Sequence, residues 1–553
     1  MPSADTDPSH RPSPGPRARG VARPSGRDVV AGITVALVLV PQSLAYAVIA
    51  GLPPQRGILA SILPPVVGGT LGSSRYLQTG PTAITALLTF GALSAVAQPG
   101  TTAYVTLAVV LALLVGAARV AVGLLRVGGI AYLMSQTVVV GFTTGAALLI
   151  IAAQLPAALG TSGPHANPLL SAAAVLADPA SWSPVAAAIT AVVIVVVLVA
   201  RRISPLAPGA LAALVAATAA SGLAGYAGPT LGRLSLDDMF AFEVDPAALP
   251  WLVVPAVVIA LVGFAEPAAI ARRYAAADRE PWDPNREFIA QGAANVASAV
   301  SGGFPVGGSF SRTALGRQAG ARTALAPAAT SVAVLLTLPF LGLLEALPVA
   351  ALAGVVIVAV GPLVDPRPML HYRSLSGVQF GVALVTFLAT VGFAPHVEYG
   401  VMIGIGMGIA VHLWREGRIH SHAWIEGDVL HVRPHGVLYF GSAPQLEGLL
   451  LVHLSRHPDA GRLAIHLGGL GRIDLTGALA LEQILLDIRE AGLQVEIRDV
   501  PEQTRRIAGR VLERTFDIEP SPGQDGHPDA RPAQAPSEPS TVGDPVHSGT
   551  DRW

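Results

Sequence analysis

Residues 29–414 form a nearly continuous apolar run, and that run limits the fold more than anything else in the chain. A bilayer core has no water to satisfy stray backbone N–H and C=O groups, so a chain in it must close its hydrogen bonds locally. A helix needs roughly 20 apolar residues to cross. Spans are expected near 29–47, 57–72, 80–96, 103–122, 130–155, 184–200, 206–224, 251–271, 287–302, 309–320, 324–341, 346–362, 376–394 and 398–414. Only 13% of residues are charged, about half the share of an ordinary soluble chain. A net charge of −1 suggests neither nucleic acid nor an acidic surface as partner. There is no Cys, which excludes disulfides and thiolate metal sites. There is no Lys either, so Arg carries all the fixed positive charge, a bias that base composition explains.

Arginine placement tests the span count. With the N-terminus inside, one side of the membrane takes Arg75, Arg119, Arg126, Arg201, Arg202, Arg272, Arg273, Arg279, Arg286, Arg317, Arg322, Arg367, Arg373 and Arg415. The other side takes only Arg56 and Arg233, while Asp237, Asp238, Glu243 and Asp245 fall in one of its loops. That asymmetry follows the positive-inside rule and predicts both termini in the cytoplasm. Fourteen spans divide as seven plus seven, the pattern of an inverted repeat.

Two breaks carry the functional information: Gln78-Thr79-Gly80-Pro81-Thr82-Ala83 and Gly307-Gly308-Ser309-Phe310-Ser311-Arg312-Thr313. Each reads as an interruption followed by the first turn of a helix, and each falls third in its half. A helix start exposes unpaired N–H groups and the positive end of the macrodipole. Two such starts facing one pocket hold an anion without a full positive charge. Arg312 then adds one full charge, as a direct ligand, as a partner that keeps a carboxylate ionised, or as a lining group of the exit. Ser309, Ser311 and Thr313 offer hydroxyl donors, although Ser at a helix start is also an ordinary cap.

Other polar groups stand inside spans. Gln42 and Tyr46 are four apart and share one helix face, suited to a polar cavity or to a helix–helix hydrogen bond. Glu266 lies well inside the eighth span. A buried carboxylate must pair or take up a proton, which makes Glu266 the candidate for coupling transport to protons, with a structural ion pair to Arg312 as the alternative. His371, His396 and His412 show no ligand spacing, so no metal site or cofactor is assigned.

At these residues the chain resembles the SulP anion permeases, solute carrier family 26. The first-helix segment Val40-Pro41-Gln42-Ser43-Leu44-Ala45-Tyr46-Ala47 with Gly51-Leu52-Pro53-Pro54 is similar to a family signature. So are Gly72-Ser73-Ser74-Arg75 with Gly80-Pro81-Thr82-Ala83, and the run from Gly302 to Thr313 with Gly320-Ala321-Arg322-Thr323. The resemblance implies a core and a gate, homodimers in the plasma membrane, and a cytoplasmic STAS domain. It also implies an anion site between the third and tenth helix starts, built from Gln42, Tyr46, Thr82, Ala83, Phe310, Ser311 and Arg312, to which the Ser309 hydroxyl is added as a candidate donor. Glu266 matches the acidic position of the eighth helix. Sodium-coupled bicarbonate members carry Asp there and Thr four residues later; here that position is Ile270, which favours protons over sodium.

Beyond the spans, residues 420–518 alternate strand-like and helix-like patterns, an α/β domain. Strands are expected at 429–432, 436–440, 462–467 and 494–497, and helices at 444–454 and 476–491. Ile473-Asp474-Leu475-Thr476-Gly477 resembles the STAS signature, with Asp474 or Thr476 as a helix cap. Leu475 stands where phosphorylated regulators of this fold carry Ser. The Pro-, Ser- and Gly-rich stretches 1–27 and 519–553 read as disordered arms. The expected molecule is a polytopic helical anion transporter with a STAS domain. It would move sulfate, bicarbonate or a small dicarboxylate with protons, against the alternatives of an uncoupled chloride/bicarbonate exchanger, sodium-coupled bicarbonate uptake, or a membrane sensor acting through the STAS domain.

Overall fold

Apolar side chains cover the helices almost all round, as expected where lipid replaces water on the outer faces. The computed structural model describes residues 24–94, 96–132, 135–165, 167–204, 206–232, 247, 249–500, 510–512 and 515–516. The arm 519–553, most of the arm 1–27 and the acidic loop residues Asp237 to Asp245 lie outside them. The chain divides into two units, Met1–Val411 and His412–Trp553.

The first unit runs α1 (Gly26–Ile49), α2 (Gln55–Leu59), α3 (Pro64–Leu71), β1 (Thr79–Gly80), α4 (Ala83–Ser94), α5 (Thr102–Leu124), α6 (Gln136–Ala158), α7 (Pro168–Ala177), α8 (Pro184–Ile203) and α9 (Gly209–Ala224). It continues with α10 (Leu249–Asp278), α11 (Pro284–Val300), β2 (Gly307–Gly308), α12 (Phe310–Gln318), α13 (Leu325–Leu335), α14 (Val349–Val360), α15 (Arg367–Leu375), α16 (Gly377–Gly392) and α17 (Val397–Glu416). Each expected span coincides with a helix, the second with the broken pair α2 and α3. Among the described residues seven helical runs are long and apolar enough to cross a membrane, one of them the run Val349–Leu375 that contains α14 and α15, and α4, α7, α9 and α16 are shorter apolar helices.

Packing sorts these helices into two bundles. Helices α1–α5 pack with α10–α13, and α6–α9 pack with α14–α17. In the first bundle the start of α1 is tied to the turn before α13: Asp28 Oδ1 accepts from Arg322 N at 2.8 Å and Thr323 N at 3.0 Å. Asp28 Oδ2 meanwhile accepts from Ser25 N at 3.0 Å, completing a capping box at the start of α1. At the ends of α10 and α12, Arg317 pairs with Asp278 at 2.8 Å, and the Tyr76 hydroxyl donates to the same carboxylate.

Two arginines are not where span counting puts them. Arg119 is fully buried on α5 and donates to three backbone carbonyls, so it is no loop residue. Arg56 is buried and donates to Gly302 O at 3.0 Å, because the broken second span turns it inward. Charge counting treats every arginine near a span end as solvated, and a side chain that reaches protein carbonyls escapes that rule. The stretch 156–183, expected as a loop, carries α7, started by Pro168 with Asn167 Oδ1 capping Leu169 N at 2.9 Å.

The second unit has β3 (His420–Glu426), β4 (Val429–Leu438), α18 (Ala443–Arg456), β5 (Arg462–His466), β6 (Leu470–Ile473), α19 (Leu475–Glu490) and β7 (Gln494–Arg498). The sheet is mixed: β3 is antiparallel to β4, and β5, β6 and β7 join it in parallel. Sequence patterning missed β3 and β6 and split β4 in two. The split falls at Gly436, where the register of β4 shifts as it leaves β5 for β6. Asp474 caps α19 as expected, accepting from Gly477 N at 2.6 Å. Behind β3 lies a buried imidazole pair: His466 Nδ1 donates to Asp499 Oδ2 at 2.7 Å, and His431 Nδ1 donates to His466 Nε2 at 3.0 Å. Trp424 stacks on His431 with centroids 5.0 Å apart.

Burial pulls the His431 imidazole below its ordinary value, against the opposing carboxylate of Glu426 at 3.8 Å. The folded state therefore favours neutral His431, and the unfolded chain binds the extra proton at low pH. This contribution is complete above the unfolded histidine value near 6.5 and is lost as pH falls below it. Thermal unfolding of the full chain between about pH 7.5 and 5.5 should show a fall in midpoint, and His431→Gln should make that fall smaller. An equal pH dependence in both proteins would contradict the assignment.

Candidate functional site

The two breaks meet. β1 and β2 pair antiparallel, Thr79 opposite Gly308 and Gly80 opposite Gly307. Flanking bonds extend the pairing: Ser309 N donates to Gln78 O at 3.0 Å, and Gln78 N donates to Thr313 Oγ1 at 3.0 Å. Gly308 is needed for clearance. A Cβ at Gly308 would come within 3.0 Å of Leu77 and 3.2 Å of Pro267. The pairing satisfies the non-helical backbone and leaves α4 and α12 starting beside each other from opposite directions.

A cavity of about 930 Å³ opens against these starts, between the two bundles. From the first bundle it is lined by Gln42 and Tyr46 of α1, Thr82 and Ala83 at the α4 start, and Ser309, Phe310 and Ser311 at the α12 start. Gln42 and Tyr46 thus share one face, as their spacing predicts. Val262, Ala265, Glu266, Ala269 and Arg272 of α10 line it at helical spacing. The second bundle adds α6, α8, α9 and α14 residues, among them Phe142, Val197, Arg201 and Val355. Arg201, at the end of α8, donates to Val358 O at 3.3 Å.

The cavity walls continue to the α8 end, the α9 start, the Arg272 part of α10 and the α14 end. All four belong to the side that carries the arginine excess. Sequence reasoning treated Arg201 and Arg272 as loop residues and so missed them as lining groups. For Arg272 the signal was present, since 262, 266, 269 and 272 repeat with helical period from Glu266.

Arg312 is placed differently from the simplest expectation. It is fully buried and does not line the cavity. Its NH1 donates to Gln42 Oε1 at 3.4 Å, and its NH2 lies toward Gly80, where a Cβ would sit 3.5 Å away. Its Nε and NH2 have no hydrogen-bond partner among the described residues. Arg312 therefore stands behind Gln42 and acts on the cavity through that amide and through its field. It lies in the first turn of α12, and a helix places successive side chains about 100° apart, so Ser311 and Arg312 face different ways.

Glu266 does not form the alternative ion pair with Arg312 within salt-bridge distance. Its Oε1 accepts the Phe310 N–H at 3.0 Å, so the carboxylate caps α12. A carboxylate is the natural occupant of a helix N-terminus, and this one is tethered there by α10. At the other start, Thr82 Oγ1 and Thr85 Oγ1 lie 3.0 Å apart and Thr85 N donates to Thr82 Oγ1 at 3.3 Å, so the Thr82 hydroxyl caps its own helix. Ser309 and Ser311 hydroxyls lie 3.3 Å apart, and Ser309 makes no side-chain cap. Helix geometry leaves the first-turn N–H groups of α4, at Ala83 and Ile84, without intrahelical carbonyls. The site offers oriented N–H donors, an amide, a phenol, two hydroxyls and a removable internal carboxylate. It can bind a small anion; it presents no nucleophile paired with a base.

Residues 26–386 match the Sulfate permease family, and residues 423–517 match the STAS domain. The chain belongs to the sulfate permease family. It is 34% identical over 77% of its length to the Mycobacterium tuberculosis protein named "Probable sulfate transporter MT1781", covering 76% of that protein. It is 29% identical over 84% of its length to the "Sodium-independent sulfate anion transporter" of Bos taurus, covering 82% of it. Among solved structures it superposes on SLC26A9 with a TM-score of 0.81 at 19% identity, covering 88% of this chain and 87% of that one. It superposes on the transmembrane domain of the cyanobacterial bicarbonate transporter BicA with a TM-score of 0.60 at 20% identity, covering 69% and 97%. These structures share the fold. The chain is a multi-pass membrane transporter, not an enzyme.

If Arg312 acts through its charge behind Gln42, Arg312→Gln should weaken anion binding to the reconstituted protein about tenfold or more, and Arg312→Lys should keep part of it. Isothermal titration with sulfate, alongside gel filtration to verify folding, reads both. Equal affinity in all three proteins would remove Arg312 from the site.

Proposed function

We propose that this transporter is a secondary active carrier of a small oxyanion, with sulfate the leading substrate, and that it moves the anion together with a proton by alternating access. The observation that carries this is the Glu266 carboxylate on the Phe310 N–H at 3.0 Å. Substrate and Glu266 compete for one helix start. Ionised, Glu266 holds the α12 donor and repels an arriving anion. Protonated, it loses the charge that holds it at the dipole, and the donor is released to the substrate. Anion entry and proton uptake are then the same event.

Other observations support the parts of this reading. The relatives named as sulfate transporters favour sulfate over bicarbonate or a dicarboxylate. Ile270, fully buried and apolar, offers no oxygen to a sodium ion beside Glu266. The cavity walls reach the arginine-rich side, which in the positive-inside orientation is the cytoplasm, so the geometry corresponds to an inward-open state. Rocking of the α6–α9 and α14–α17 bundle past the fixed helix starts would carry the site outward. Plasma-membrane location, cytoplasmic termini and a homodimer complete the proposal, on the arginine asymmetry and the family resemblance.

The test uses proteoliposomes loaded without sulfate. Wild-type sulfate uptake should rise as external pH falls and should accumulate sulfate against a gradient when protons flow inward. Glu266→Gln keeps a neutral acceptor for Phe310 N–H and should retain sulfate–sulfate exchange while losing proton-driven accumulation. If wild-type influx instead requires a counter-anion inside, at every pH, the protein is an exchanger and Glu266 is a structural cap.

A further inference from the structure

The two helix starts need a frame, and the frame stands behind them on α11 and α5. Along α11 the residues Glu287, Gln291, Asn295 and Ser298 follow one another at helical spacing, and all four are fully buried. None lines the cavity. They face the two crossing segments instead. The Glu287 carboxylate accepts from Ser73 N and Ser74 N, both at 3.2 Å, ahead of β1. Gln291 Nε2 donates to Thr79 Oγ1 within β1 at 2.9 Å. Asn295 grips Val306 from both sides, accepting its N–H at 2.9 Å and donating to its carbonyl at 3.1 Å. Ser298 Oγ donates to Phe304 O at 2.7 Å.

Arg119 reaches the same Val306 carbonyl from α5. Paired glycines make this possible: a Cβ on Gly116 would lie 2.8 Å from Gly292 O, and one on Gly292 would lie 2.8 Å from Gly116 O. The α5 and α11 backbones therefore touch, and Arg119 stands one turn beyond that contact. Its NH1 donates to Val306 O at 2.9 Å, its Nε to Ala260 O at 3.0 Å and its NH2 to Ile259 O at 3.2 Å. Val306 immediately precedes β2 and the α12 start. Ala260 lies under two turns before Glu266 on α10. One planar guanidinium thus ties the segment that carries the helix start to the helix that carries its carboxylate cap. Every bond goes to a carbonyl, and no carboxylate lies within ion-pair distance of Arg119 among the described residues.

We propose that Arg119 is a positioning residue of the anion site. With Asn295 it fixes the α12 start relative to Glu266, and it adds a second fully buried arginine to the bundle that carries the site. A rigid fork in this place also explains why Gly263 is glycine, since a Cβ there would lie 2.6 Å from Arg119 NH2. The proposal rests on reading the cavity as an anion site.

The test measures sulfate uptake by Arg119→Gln, Arg119→Lys and Asn295→Asp in proteoliposomes, with KM and turnover separated and thermal unfolding as the folding control. Arg119→Gln should raise KM about tenfold or more while turnover changes less than about threefold. Arg119→Lys should recover part of that loss by keeping the charge. Asn295→Asp, close in shape to the native residue, sets a carboxylate beside Arg119 and should raise KM as Arg119→Gln does, even if the Arg119 variants fail to fold. A folded Arg119→Gln or Asn295→Asp with wild-type KM overturns the proposal, as does a Lys variant no better than Gln. Absence of saturable sulfate uptake by the wild type would sink the transport reading itself, a result distinguishable from either.

Discussion

Four residues hold the mechanism together. In the antiparallel pairing of Thr79–Gly80 with Gly307–Gly308, non-helical backbone from the two halves meets within the apolar bundle. Unpaired peptide groups are costly there, so a break in one span alone would be unfavourable. Two breaks that satisfy each other remove that cost and deliver two helix starts to one pocket. The anion site is in this sense a by-product of hydrogen-bond closure, and the glycines follow from how closely the segments must pass.

The second consequence concerns charge. A site made only of helix starts would bind anions at any pH. Glu266 changes that by occupying the α12 donor itself, so the site carries its own competitor. Arg312, hidden behind Gln42, acts on this competition without blocking the cavity. Its own charge is kept off the cavity wall, unlike those of Arg201 and Arg272.

Much of this was legible in the sequence. Helical class, the expected spans, the paired breaks and the Gln42–Tyr46 face follow from hydropathy, helical period and the rarity of polar groups in apolar runs. The family resemblance sharpened these into a site. What failed did so for physical reasons. Arg312 is adjacent in sequence to cavity residues yet turned away, because one helical step rotates a side chain out of the pocket. Arg119 and Arg56 were placed by span ends, and no one-dimensional rule shows that carbonyls are waiting for them inside. Strand β6 has only four residues, and β3 is too mixed in polarity for patterning to find.

The sequence by itself determined that the chain spans a membrane, that it breaks twice in corresponding places, and that a lone carboxylate sits among apolar residues. Those are properties of composition and spacing, local along the chain. Only the tertiary structure decided that Glu266 caps α12, that Arg312 reaches Gln42, and that Arg119 and Asn295 share the Val306 carbonyl. Each of these joins residues 44 or more positions apart, except Asn295 and Val306, which are 11 apart. Such contacts are set by how the helices pack, which a linear pattern does not encode.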